Sequence, residues 1–306
     1  MIIRSELLTE GLFGQILLWM LEIVPYVQQQ GWKPGWQIRS RNYGQPPDHD
    51  IFPSIIDTTY TPELTGSTVS LEELKQNHAH GYGHDFAYAH RCWTSMFRFH
   101  AGLLARVDEF WTTHAVSGEV LGLHYRGTDK NTDPMQTNPV THYQFLCIVE
   151  DFLATHPAVK SIFVATDDAV FLERIRSLCE VFSIPQQRAS GGSPLWNAHD
   201  ATKNLRLAED ALLDCLCLAR CTYVLKGMSQ LSAFAKIFNP QLEAYRVSAC
   251  KVPWFPESGI PLHRSASRPV GKLLAALQLD DCNTPPLLML ANRAARRLSR
   301  MRARFR

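Results

Sequence analysis

The 306 residues are 45% apolar and 20% charged, which excludes disorder over the bulk of the chain and suits one large α/β unit or two domains of ordinary size. The net charge of +2 hides an asymmetry: the stretch from Arg293 to Arg306 carries seven arginines and no acid, and without it 24 basic side chains face 29 acidic ones, a net of −5. An acidic body argues against a broad nucleic-acid-binding face.

Taken in chain order, the first apolar stretch runs from Gly11 to Pro25. It contains Gln15 and Glu22 and is shorter than the roughly 20 residues a membrane span needs, so it reads as a buried helix that stops at Pro25. With neither a strongly basic start nor a small-residue cleavage site, the expectation is a cytoplasmic protein with reduced thiols. A loop rich in Pro, Asp and aromatics follows from about Asn42 to Gly66, and Ser70 with Glu73 forms a capping box opening a short helix. His78, His80 and His84 then fall close together, with His90 further on. They read as an exposed loop, as a surface for an acceptor sugar, or as metal ligands. One long helix is expected over Ala87–Trp111, on the spacing of Trp93, Phe97, His100 and Leu104. The first half as a whole reads as irregular α/β.

The second half has a clear rhythm. Strands are expected at Val120–Arg126, Ser161–Thr166, Val181–Ile184 and Tyr223–Leu225. Helices are expected at Thr141–Thr155 behind a second capping box, at Ala169–Cys179, at Leu207–Ala219 and at Ser229–Phe238. Strands that are apolar across their whole width and alternate with helices argue for a parallel sheet covered on both faces, a doubly wound unit. Such sheets bind ligands outside the carboxyl ends of their strands. Eight cysteines are scattered without CxxC pairing, and Cys215, Cys217 and Cys221 fit core positions in or just after a helix.

Four constellations stand at or near those strand ends. His124-Tyr-Arg-Gly-Thr-Asp-Lys130 ends the first strand and puts His124 and Arg126 on one face. The fork of Arg126 suits phosphate oxygens, and Gly127 lets the backbone approach a ligand. Asp167 and Asp168 end the second strand; one can cap the next helix while the other reaches a ribose hydroxyl or an arginine. Lys226-Gly-Met-Ser-Gln230 links a strand to a helix N-terminus, where Ser229 is either a phosphate ligand or a plain N-cap. Asp214 is a carboxylate among leucines, which calls for something to bind it unless that face is partly exposed. Guanine, with N1–H and N2–H₂ donors, is one such partner.

Together these motifs resemble, in order and approximate spacing over about Val120–Pro240, those of the α-1,6-fucosyltransferases and protein O-fucosyltransferases, a superfamily that includes the rhizobial nodulation fucosyltransferase and bacterial polysaccharide-synthesis proteins. Gly11 and Gly14 resemble the family's Gly-rich N-terminal loop. The resemblance implies a GT-B fold, two Rossmann-like domains facing a cleft: an acceptor-side domain at 1–115, a nucleotide-sugar domain at 116–290 and a basic tail at 291–306. It implies a metal-independent, inverting transfer of fucose from GDP-fucose to a glycan hydroxyl. Arg126 would hold the β-phosphate, with Lys130, Ser229 and Gln230 also on the donor. His124 and Asp214 would meet guanine or ribose, and Asp167 or Asp168 would hold the nucleoside or order Arg126. The general base would be Asp133 first and Asp129 second. The sequence departs from the family at Gly127, where the α-1,6 enzymes carry a second arginine, at Met228, where they carry a serine, and at Pro134, near which their acid falls. The α-1,6 linkage is therefore not carried over. The rival readings are a transferase using another nucleotide sugar and a non-catalytic, glycan-binding relic of the fold. The tail reads either as a solvated, partly helical end or as a contact to an anionic membrane surface or a partner.

Overall fold

A computed structural model describes residues 1–8, 11–40, 43, 50–57, 64–83, 85–114, 118–127, 140–176, 180–190, 195, 201–248 and 259–267. Its first half contains a small parallel sheet that the sequence reading did not resolve: β1 (Ile2–Leu8), β2 (Gly35–Ser40) and β3 (Thr68–Ser70), in the order β2-β1-β3. Parallel neighbours need a crossover. Between β1 and β2 it is a π-helical stretch, Leu12–Leu17, running straight into α1 (Leu18–Gln29).

Helix α1 does not stop at Pro25 but continues to Gln29. Proline has no N–H to offer the carbonyl one turn back, and an orphaned carbonyl normally ends or kinks the helix. Here the Tyr82 hydroxyl donates to the Leu21 carbonyl, so the group Pro25 abandons is satisfied from outside. Glu22, buried on the same helix, is paired with Lys75 at 2.8 Å.

Beyond α2 (Phe52–Ile55), α3 (Leu71–His78) opens on Ser70, whose hydroxyl accepts from Glu73 N at 3.2 Å. The single helix expected over Ala87–Trp111 is two, α4 (Phe86–Met96) and α5 (Ala101–Thr113). The link between them is extended at Phe97 and tied to residues 55–57: His100 N donates to Ile55 O and Asp57 N to Arg98 O, both at 2.8 Å. The His100 ring then caps α5 by accepting from Gly102 N at 3.1 Å. Apolar spacing carries across the break because both helices bury one face, so periodicity alone does not reveal it.

The second sheet holds β4 (Glu119–Tyr125), β5 (Val159–Thr166), β6 (Val181–Phe182), β7 (Tyr223–Lys226) and β8 (Glu243–Arg246), all parallel, in the order β6-β5-β4-β7-β8. Strand β8 was not expected. Helices α6 (His142–Thr155), α7 (Ala169–Arg176) and α9 (Gln230–Phe238) stand close to their expected ranges, α6 capped by Thr141 Oγ1 accepting from Gln144 N at 3.1 Å, while α8 (Ala201–Ala219) begins six residues before the expected Leu207. Successive residues of β5 serve different cores: Phe163 and Ala165 pack with residues of α5, α8 and α9, Ile162 and Val164 with residues of α6 and α7. That is why the strand is apolar across its width.

Helix α5 lies on this second sheet, with the Phe110 ring 5.7 Å from Phe163 and 5.8 Å from Phe182. The first core also reaches into the opening half. Phe234 and Phe238 of α9 meet Phe13, Trp93 and Phe99 at centroid distances of 4.9–6.3 Å, and His90 Nδ1 lies 3.0 Å from Ile237 O. Cys215, Cys217 and Cys221 are buried free thiols, as their spacing suggests, and burial pushes Cys217 up to about 12. Among the described residues no helix is long and apolar enough to cross a membrane. The arginine tail lies outside them.

Candidate functional site

Strand order in the second sheet reverses at β4: β5 and β6 lie on one side, β7 and β8 on the other. In open parallel sheets, ligands bind beyond the carboxyl ends of the strands at such a reversal. The ladder sets His124 level with Ala165 on one side and Lys226 on the other, and Tyr125 level with Thr166. The motif after each strand therefore emerges at the same height.

His124 is buried, with Nδ1 2.8 Å from the Ser232 hydroxyl on α9. Burial above all, then the charges of Lys226 and Arg126, push its pKa down to about 3, so the ring is neutral at ordinary pH. Lys226, the first residue of the Lys226–Gln230 motif, is wholly buried beside it. Arg126 follows β4 directly. Its side chain is 34% exposed, and Nε lies 4.0 Å from Asp167 Oδ2.

The two adjacent acids divide the alternatives left open for them. Asp167 takes the Arg126 side and accepts from Gly127 N at 3.0 Å. Asp168 accepts from Phe171 N at 3.0 Å at the start of α7 and pairs with His142 Nε2 at 2.9 Å. Burial raises the Asp168 pKa, but these bonds outweigh it and hold the carboxyl below its usual range. A β-carbon on Gly127 would overlap the Asp168 carboxylate and stand 2.6 Å from the Tyr125 ring. The second arginine of the α-1,6 enzymes has no room at this position unless Asp168 moves.

Asp214 sits on α8 at 5% exposure. Gln186 Nε2 donates to its Oδ2 at 2.8 Å, while Oδ1 is buried with no hydrogen-bond partner among the described residues. Burial, opposed by the Gln186 bond and the Arg188 charge, pushes its pKa up to about 7. Arg188 is anchored to the carbonyls of Thr166 at 3.1 Å and Ile184 at 2.7 Å, which fastens the segment after β6 to the end of β5. An acceptor buried without a donor costs free energy that a ligand donor would recover.

Ser229 precedes α9 without capping it through its side chain; its carbonyl accepts from Ala233 N and from the Ser232 hydroxyl, both at 3.2 Å. Gly14 comes against this helix start, a β-carbon there lying 3.9 Å from Gln230 Cγ. Gly11 stands just before the π-helical stretch and is open to solvent. The buried Tyr43 hydroxyl accepts from Leu12 N at 2.9 Å, and its ring lies within the field of Arg126. The opening half thus comes near these strand ends through Tyr43 and the Gly11–Gly14 stretch.

Sequence reasoning missed Tyr43, His142, Gln186, Arg188 and Ser232. Each meets the site through a long-range contact, and none carries a local signal beyond its polarity. Asp129, Lys130 and Asp133 lie outside the described residues. His78 stacks on Tyr26 with ring centroids 3.8 Å apart, and His80 stands edge-on to Tyr82 and Tyr88. His84 lies outside the described residues, among which no group of three metal-binding side chains occurs.

Solved structures of similar fold exist. NodZ α-1,6-fucosyltransferase, in a crystal structure soaked with GDP-fucose, superposes with a TM-score of 0.53 over 79% of this chain and 94% of its own, at 17% identity. The chain has the NodZ fold. NodZ co-crystallised with GDP aligns with the same scores, and fucosyltransferase NodZ from Bradyrhizobium aligns at 18% identity and TM-score 0.52, over 78% and 93% of the two chains. No protein-family model matches the sequence, and no curated protein matches it either.

Proposed function

We propose that the chain is a fucosyltransferase-like glycosyltransferase that takes GDP-fucose and transfers the sugar, with inversion, to a hydroxyl of a glycan or glycoconjugate. One observation carries the reading: an unmet buried acceptor, Asp214 Oδ1, lies within the field of Asp167, which itself stands 4.0 Å from the part-exposed guanidinium of Arg126 at the end of β4. An acceptor for a purine N–H and a fork for phosphate oxygens are what a guanine nucleotide needs at its two ends. The NodZ fold, whose crystals hold GDP or GDP-fucose, supports the same donor.

In this reading the second sheet is the doubly wound donor domain of a GT-B arrangement, spanning 116–290, and residues 1–115 form the acceptor side. Asp214 and neutral His124 meet the nucleoside. Arg126, aided by Lys130, Ser229, Gln230 and the first N–H groups of α9, receives the charge that grows on the diphosphate as the glycosidic bond breaks. Those cations and dipoles do the work without a metal. Asp167 holds Arg126 in line, and Asp168 acts behind it through Gly127. The acceptor hydroxyl attacks the anomeric carbon from the opposite face and loses its proton to Asp133, with Asp129 as the alternative base. The protein works in the cytoplasm, with the arginine tail as its contact to an anionic membrane surface.

Calorimetric titration of GDP, GDP-fucose, GDP-mannose and UDP-sugars, with and without EDTA, tests this. Binding of GDP and GDP-fucose that survives EDTA and disappears in Arg126→Ala is expected. Preference for a UDP-sugar would transfer the reading to another donor, and no nucleotide binding at all would leave a glycan-binding relic of the fold.

A further inference from the structure

The His124 ring has one hydrogen-bonding partner among the described residues, the Ser232 hydroxyl, and both side chains are buried. Nδ1 and Oγ are 2.8 Å apart. The same Oγ lies 3.2 Å from the Ser229 carbonyl, three residues back at the start of α9. Serine in a helix commonly donates to the carbonyl one turn behind it. A hydroxyl has a single proton. With that proton directed at Ser229 O, Oγ presents a lone pair to Nδ1, and Nδ1 must carry hydrogen. A neutral imidazole has only one N–H, which leaves Nε2 as a bare acceptor.

We propose that Ser232 is a positioning residue that fixes His124 as its Nδ1–H tautomer and makes Nε2 a permanent hydrogen-bond acceptor at the end of β4. The neutrality of the ring agrees: burial, Lys226 and Arg126 together hold the pKa near 3, so protonation does not restore a donor at Nε2. A fixed acceptor admits O–H or N–H donors and rejects phosphate oxygens. His124 therefore meets the ribose or the base and not the diphosphate. This consequence for the ligand rests on the donor site proposed above; the tautomer itself does not.

The test is long-range ¹H–¹⁵N correlation of the histidine rings in the full, ligand-free chain near neutral pH, with His124 assigned by the signal lost in His124→Asn. The wild type should show a protonated Nδ1 and an unprotonated Nε2. Ser232→Ala should shift His124 to a tautomer mixture or to Nε2–H, and should weaken GDP binding about three- to tenfold, the worth of one neutral hydrogen bond. An Nε2–H ring in the wild type, or an unchanged tautomer in Ser232→Ala, overturns the proposal. Should the variant fail to fold, the wild-type spectrum alone still decides. A wild type that binds no GDP sinks the donor reading, and the ring spectrum then judges Ser232 independently.

Discussion

Gly127 lies against the carboxylate of Asp168, so close that no β-carbon fits between them, and Asp168 is pinned in turn by His142 and the start of α7. The backbone that follows Arg126 is thereby held by a hydrogen-bonded contact between the start of α6 and the link from β5 to α7. Gly127→Ala forces that stack apart. Overpacking of this kind costs about 1–3 kcal/mol. A lowered denaturant midpoint together with a weakened GDP affinity is expected, and an Ala variant as stable and as tight-binding as the wild type would show that the stack is dispensable.

Arg126→Ala should fold normally, since the side chain is part-exposed and its nearest acid, Asp167, is also bonded to Gly127 N. The loss appears in turnover, about 10²–10³-fold, the scale of removing one donor to a developing anion. Lysine does not replace it, because a point charge lacks the planar fork. Circular dichroism and single-turnover transfer assays on the Ala and Lys variants check both statements.

Asp214 makes opposite demands on stability and binding. Its folded pKa, about 7, lies above the ordinary carboxylate value of 3.8, so the folded state holds the proton more tightly than the unfolded chain does. The wild type therefore loses stability relative to Asp214→Asn as pH rises from about 4 to 7, by an amount on the order of a few kcal/mol, and the difference is constant above that. Binding to guanine donors needs the ionised carboxylate, so GDP affinity should climb with pH up to about 7 and then level off. Denaturation and calorimetry at pH 5.5 and 8 measure both trends. In Asp214→Asn the chain should be more stable at pH 8 and bind GDP poorly; greater stability with undiminished binding would remove Asp214 from the donor site.

Tyr82 and Pro25 form a compensated pair. Tyr82→Phe strands the Leu21 carbonyl and should cost about 1–3 kcal/mol, with GDP binding intact. In a Pro25→Ala background the restored N–H serves Leu21, and the same substitution should cost less. A double-mutant cycle by urea denaturation gives the coupling; a value of zero would mean that the hydroxyl does not support the helix through the proline.

What the sequence determined by itself was local. Apolar strands two faces wide at Val120–Tyr125 and Ser161–Thr166, the caps Ser70 and Thr141, and helices α6 to α9 were legible because periodicity and capping act over a few residues. The parallel alternation of the second half, and the clustering of polar motifs at its strand ends, followed from the same short-range rules. Tertiary structure decided the rest. The small first sheet escaped because β3 is three residues long and takes its support from β1, 66 residues earlier in register at Ile2 and Thr68. The continuation of α1 past Pro25 depends on a hydroxyl 61 residues from the carbonyl it serves, and the break between α4 and α5 on the Ile55 carbonyl and the Asp57 N–H. At the strand ends, which acid caps a helix and which stands beside Arg126, which oxygen of Asp214 is left without a donor among the described residues, and which nitrogen of His124 is bonded were all set by His142, Gln186 and Ser232. A side chain's type announces what it can bind, but its partner is chosen by the fold, because chain distance and spatial distance are unrelated once strands cross over.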